Sequence, residues 1–139
     1  MRNFLYKFCF FVILVFTNFD LNAEILKKIE VYGNERIVKE TIVVYGEIEQ
    51  GKDYSQDDID NIIKKLYETK FFSKISTNFS NGVLRITVEE NPIINSIVIQ
   101  GEETKKYREG ILTLLSLKEK GSYIKSDVKN DLQIFKNFY

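Results

Sequence analysis

Two acidic clusters are the groups in this chain that could do acid–base or metal chemistry. Glu89-Glu90 has the residue types of a glycosidase pair, but neighbours on a strand point to opposite faces, so the two cannot flank one bond. Asp57, Asp58 and Asp60 offer the hard oxygen ligands that calcium takes. They also stand where a helix would begin, and acidic side chains there complement the helix dipole, which is the reading preferred here. The chain has no His, and its single Cys is Cys9 in an N-terminal apolar run. Ser/His and Cys/His nucleophile systems and imidazole metal sites therefore have no residues to build them, and no Gly-rich phosphate loop occurs. The expectation is a protein without catalytic residues, cofactor or metal.

What remains is the chemistry of open backbone. Ser73, Lys74, Ile75, Ser76, Thr77, Asn78 and Phe79 form a run in which Ile75, Thr77 and Phe79 alternate with Lys74, Ser76 and Asn78. Such a strand at the edge of a sheet presents unpaired N–H and C=O groups, which accept an extended peptide almost regardless of its side chains. The competing reading is a solvated edge that Lys74 protects.

The elements that would position this edge can be read in turn. Lys27 to Tyr32 places Ile29 and Val31 on one face of a strand, and Gly33-Asn34 ends it in a backbone turn. Ile37 to Tyr45 has helical spacing, and Gly46 and Gly51 punctuate a loop. Ser55 with Asp58 is an N-cap signature, followed by Ile59, Ile62, Ile63, Leu66 and Tyr67 on one helical stripe. Phe71-Phe72, between helix and strand, reads as core in preference to an exposed binding pair. Asn81-Gly82 then supplies a tight hairpin turn between Ser73–Phe79 and the alternating Leu84, Ile86 and Val88. The order is β-α-α-β-β. Each element has one apolar face, so the α+β solution is two helices on one face of a three-stranded mixed sheet, with the last strand central and parallel to the first.

A second copy of the scheme follows. Ile97-Val98-Ile99-Gln100-Gly101 repeats the pattern of Ile29-Glu30-Val31-Tyr32-Gly33 at an offset of 68 residues. Behind it, Ile97 to Gln100 is expected as a strand and Tyr107 to Leu115 as a helix, with a loop at Gly121-Ser122-Tyr123. Ser126 is expected to cap a helix carrying Val128, Leu132, Phe135 and Tyr139. With Phe138-Tyr139 matched to Leu66-Tyr67, this copy lacks a hairpin. The expected domains are 24–91 and an incomplete 92–139, the N-terminal piece of a longer protein.

Composition agrees with a folded, exported chain. The sequence is 44% hydrophobic and 29% charged with one Pro, an ordinary globular balance. Arg2 and Lys7 precede an apolar stretch from Phe8 to Phe19, and Leu21-Asn22-Ala23 offers a cleavage site before Glu24. About 12 apolar residues fall short of the roughly 20 that span a bilayer, so 1–23 is read as a cleaved signal peptide. Removing Arg2, Lys7 and Asp20 from totals of 20 basic and 20 acidic residues leaves 18 and 19, a net of −1. A chain without a basic face is a poor nucleic-acid binder.

Three groups of residues carry a family resemblance: Ile29-x-Val31-x-Gly33-Asn34-x-Arg36-Ile37 with Thr41-Ile42; Leu66-Tyr67-x-x-x-Phe71-Phe72; and Val88-x-Glu90-x-Pro92-x-Ile94-x-x-Ile97. Together they resemble the first POTRA domain, and its junction to the second, of the BamA family of outer-membrane protein assembly factors. The likeness covers essentially 24–139. Gly33, Asn34, Gly82, Pro92 and Gly101 are its structural positions, and Glu102 departs from the Asn usual after the second glycine. The resemblance implies tandem POTRA domains on the periplasmic face of the outer membrane, leading to a membrane barrel absent from this chain. It also implies unfolded outer-membrane β-barrel proteins, periplasmic chaperones and other assembly-complex subunits as partners, received by strand addition. POTRA repeats of two-partner secretion or other translocating barrels, a cell-division POTRA protein and a free periplasmic adaptor are the alternatives.

Overall fold

The computed structural model describes residues 23–138; all of the expected signal peptide except Ala23, Cys9 included, lies outside the described residues. The first module contains β1 (Glu24–Ile25), β2 (Lys28–Tyr32), α1 (Lys39–Tyr45), β3 (Asp53–Tyr54), α2 (Gln56–Glu68), β4 (Phe72–Ser80) and β5 (Val83–Glu90). The second contributes α3 (Lys105–Leu114) and α4 (Lys125–Phe138). Among the described residues no helix is long and apolar enough to cross a membrane.

The main sheet has the order β2-β5-β4, with β2 parallel and β4 antiparallel to the central β5. Alternation decides which side is covered. Leu84, Ile86 and Val88 of β5 are buried with Ile29 of β2 and Ile75 of β4, whereas Arg85, Thr87 and Glu89 face solvent. The helices supply Ile42, Ile59, Ile62 and Leu66 to the same core. Phe72 is buried, and half-buried Phe71 meets Phe72 and Tyr45 edge-to-face, so the aromatic pair belongs to the core.

Helix α2 begins with the expected capping box: the Asp58 N–H donates to Ser55 Oγ, and the Asp58 carboxylate accepts from the Ser55 N–H at 2.9 Å. The Asn81-Gly82 turn has φ of 53° and 74°, the two left-handed residues that match the twist of a two-residue hairpin.

Several elements depart from expectation. Helix α1 starts at Lys39 and not Ile37, because the N–H groups of residues 35–37 are directed to the Glu90 carboxylate and Val38 is extended. A second, two-stranded sheet pairs β1 with β3 antiparallel. It lies outside the alternation pattern, being only two residues long on each side. The second module repeats it as a bridge between Ile93 and Ser122. The Leu26 N–H donates to the Lys52 carbonyl and the Gly51 N–H to the Leu26 carbonyl. Likewise the Ile94 N–H donates to the Gly121 carbonyl and the Lys120 N–H to the Ile94 carbonyl.

From that loop onward the offset is 69, not the 72 implied by matching Phe138-Tyr139 to Leu66-Tyr67. Gln56, which opens α2, corresponds to Lys125, which opens α4, and Leu66 therefore corresponds to Phe135. Ser126 accordingly lies inside the first turn of α4 and does not cap it. Helix α3 starts at Lys105, ahead of the expected Tyr107. Residues 97–100 form no ladder, since among the described residues no strand lies beside them to complete their backbone hydrogen bonds.

Candidate functional site

Sheet order puts β4 at an edge, and one hydrogen bond fixes which of its groups face outward. The Ile75 N–H donates to Tyr67 Oη at 2.9 Å, and Tyr67 belongs to α2, not to β5. Backbone direction alternates along a strand, so the N–H and C=O groups of Ile75, Thr77 and Phe79 point away from the sheet, and those of Ser76 and Asn78 toward β5. Ser73 lies at a register irregularity between Phe72 and Lys74, and its hydroxyl donates to the Glu89 carbonyl at 3.1 Å. The regular outward edge is therefore Ile75 to Phe79. Lys74, Ser76 and Asn78 project from the open face, while Ile75 is buried and Thr77 and Phe79 are half-buried beneath the helices.

The opposite edge, β2, is also touched by a helix side chain: Lys39 Nζ donates to the Ile29 carbonyl at 2.7 Å. On the open face between the edges, Glu30 accepts from Tyr32 and pairs with Lys28 and Arg85. The bond from Lys28 holds the Glu30 carboxyl below its ordinary value.

Two of the resemblance motifs meet at the end of β5. Glu90 Oε1 accepts the N–H groups of Glu35, Arg36 and Ile37 at 2.9, 3.0 and 2.9 Å. Glu90 Oε2 lies 3.0 Å from Arg36 Nε as an ion pair without hydrogen-bond geometry, and Arg36 Nη2 donates to the Asn91 carbonyl. Burial alone would push the Glu90 carboxyl up. The three N–H groups and the Arg36 charge outweigh it and hold the group below its usual range.

Gly33 lies against the same strand with φ of 78°, and a Cβ there would sit 2.2 Å from the Val88 carbonyl oxygen. Asn34 Nδ2 donates to the Ile37 carbonyl at 2.9 Å. The Gly82 carbonyl accepts from Lys27 and Lys28, and the Pro92 carbonyl accepts from Tyr123. Gly101 is exposed at φ of 88°. Asp57, Asp58 and Asp60 do not converge: Asp58 faces Ser55, and Asp60 accepts from Gln56.

Sequence reasoning missed two contributors. Tyr67 sits on the apolar stripe of α2, and the available signal was its hydroxyl, since a buried stripe rarely ends on a residue with a polar tip unless that tip has a partner. The Glu90–Arg36 contact joins residues 54 apart, a pairing that no local pattern encodes.

At its Phe72 end the edge borders a cleft of about 440 Å³ between the modules, lined by Tyr67, Lys70, Phe72, Ser73 and Asn91 together with residues 124–127. A Lys70–Asp127 ion pair of 2.9 Å crosses it.

This arrangement is similar to that of solved POTRA domains. The N-terminal domain of Omp85 from the thermophilic cyanobacterium Thermosynechococcus elongatus superposes with a TM-score of 0.57 over 86% of this chain and 52% of that one, at 11% identity, which establishes the fold. The sequence relatives are more particular. The chain is 25% identical to the outer membrane protein assembly factor BamA of Neorickettsia risticii over 136 residues, 98% of its length, and 34% identical to BamA of Neisseria meningitidis serogroup B over 76 residues. It spans 17% and 10% of those two proteins. No protein-family model matches the chain. The likeness to BamA read from the three motif groups is thus a likeness of the whole chain.

Proposed function

We propose that this chain is part of the periplasmic POTRA region of an outer-membrane protein assembly factor, and that its first module receives extended segments of unfolded outer-membrane β-barrel proteins by strand addition to β4. Periplasmic chaperones or other subunits of the assembly complex use the same backbone chemistry when they dock there. The module works by binding and not by catalysis.

The observation that carries the reading is the outward ladder at Thr77 and Phe79, on an edge strand that, among the described residues, pairs only on its inner side. Backbone groups recognise a strand of almost any sequence, which suits a receptor for many different clients. The naming of both sequence relatives as BamA favours assembly over translocation or cell division.

The test is a proline at Thr77, which removes an outward donor, against one at Ser76, which removes a donor to β5. In the intact protein carrying a photoreactive side chain at Asn78, Thr77→Pro should lower crosslinking to an unfolded barrel protein several-fold while circular dichroism stays native. Ser76→Pro should disturb the hairpin itself. A folded Thr77→Pro variant that crosslinks as well as the parent would refute strand addition here.

A further inference from the structure

Of the three outward positions on β4, one is already engaged. Tyr67 Oη accepts the Ile75 N–H at 2.9 Å, and the irregularity at Ser73 ends the regular ladder just beyond it. We propose that Tyr67 is a gate on this edge: it confines strand addition to the Thr77–Phe79 half, and a longer guest strand registers at Ile75 only by displacing the tyrosine hydroxyl. The proposal rests on β4 being the docking edge.

Three features of the structure favour a gate over a fixed structural bond. Tyr67 is 42% exposed, so its ring is not locked by packing on all sides. It lines the cleft of about 440 Å³ between the modules, which gives a displaced ring a place to go. The bond it makes is also of the kind a guest would make, since a carbonyl arriving at Ile75 replaces one neutral acceptor with another. Exchange between the two is close to balanced, and the occupant is decided by what the rest of the guest contributes. Guests offering only two outward contacts leave the gate shut. Those with a continuous extended segment gain a third contact and turn Tyr67 toward the cleft, beside the Lys70–Asp127 ion pair and the first turn of α4. The gate thereby couples the length of the guest strand to the junction between the modules.

Single-residue amide exchange on the intact protein tests this without any substitution. The Ile75 N–H should exchange slowly and those of Thr77 and Phe79 fast. Adding a synthetic peptide that copies residues 83–90, an alternating strand that β4 already pairs with on its inner side, should protect Thr77 and Phe79. Fast exchange at Ile75 in the free protein would overturn the gate. Tyr67→Phe keeps the ring and frees the donor, so the same peptide should bind about threefold to tenfold more tightly, the span of one neutral hydrogen bond. Unchanged or weaker binding by a folded Tyr67→Phe variant, with Thr77→Pro still abolishing binding, would sink the gate and leave strand addition standing. No peptide protection at Thr77 or Phe79 in the parent protein would sink both.

Discussion

The two modules open alike, and among the described residues the backbone groups that follow then meet different partners. Leu26 and Ile94 each give and take one hydrogen bond with the loop ahead of the longer helix, in matching positions. After that the first module borrows what it lacks from a distant strand. Glu90 at the end of β5 collects three N–H groups from residues 35–37. At the corresponding place in the second module Glu102 accepts the Thr104 N–H from only two residues away, at 2.7 Å. Glu102 stands at the position of Asn34 and serves its turn from within the turn.

The helix pairs diverge in the same way. In the first module the N–H groups of Glu47 and Ile48 return to the carbonyls of Val44 and Val43 at the end of α1. Their counterparts in the second, Ser116 and Leu117, donate to Asp131, which is buried at the position that Ile62 holds in α2. Burial opposes the Asp131 charge, but the two N–H groups prevail and keep its carboxyl below the ordinary value. Asp131 also borders an apolar groove of about 440 Å³ between residues 97–100 and α4, on the side that β5 covers in the first module.

The sharpest way to break this comparison is at the two glycines. Gly33 and Gly101 share a positive φ, but only Gly33 has a carbonyl where a Cβ would go. Gly33→Ala should lower stability by about 3 kcal/mol or more through strain and overlap together. Gly101→Ala should cost about 1 kcal/mol, for its backbone conformation alone. Chemical denaturation of the two variants measures the gap, and equal losses would mean that contact with β5 is not what constrains Gly33.

Next in size is the carboxylate. Glu90→Ala should destabilise the first module by about 1–3 kcal/mol by stranding three N–H groups, and Glu102→Ala should cost less, about 0.5 kcal/mol for the bond to the Thr104 N–H. The Glu90 effect also carries a pH signature. Its folded value lies below its ordinary value near 4.5, so the stabilisation is fully present above that pH and is lost as pH falls through the folded value. Acid titration of unfolding should show a slope below pH 4.5 that flattens in Glu90→Gln.

The smallest contrast lies at the helix starts. Ser55→Ala should cost about 1 kcal/mol because its hydroxyl holds the capping box. Ser126→Ala, inside the first turn of α4, should shift thermal stability within the scatter expected of a surface change. A larger effect at Ser126 than at Ser55 would restore the cap assignment made from sequence.

Legibility followed the range of the interaction. The α2 stripe, the Asn81-Gly82 turn and the alternation of β5 were readable because helix caps, tight turns and one-sided burial are set by residues within a few positions of one another. The strand-order expectation, with β5 central, needed only those elements and the handedness of their connection. The β1–β3 pair was not readable, since two residues are too few to show a period. Ser126 misled because a serine near a helix start is a cap only if the chain ahead of it turns there, and the bonds from Ile94 and Pro92 to the 120–123 loop decide where it turns.

The amino-acid order by itself determined one β-α-α-β-β unit of one-faced elements, a second pair of helices behind it, the lack of imidazole and an alternating strand at 73–79, because those properties are carried by residue type and local spacing. Tertiary structure alone decided which backbone groups on β4 face outward, that Tyr67 already holds one of them, and that Glu90 reaches the Gly33–Ile37 turn. Each of these depends on two segments being brought within about 3 Å, where a hydrogen bond forms or does not, and no local spacing records that distance.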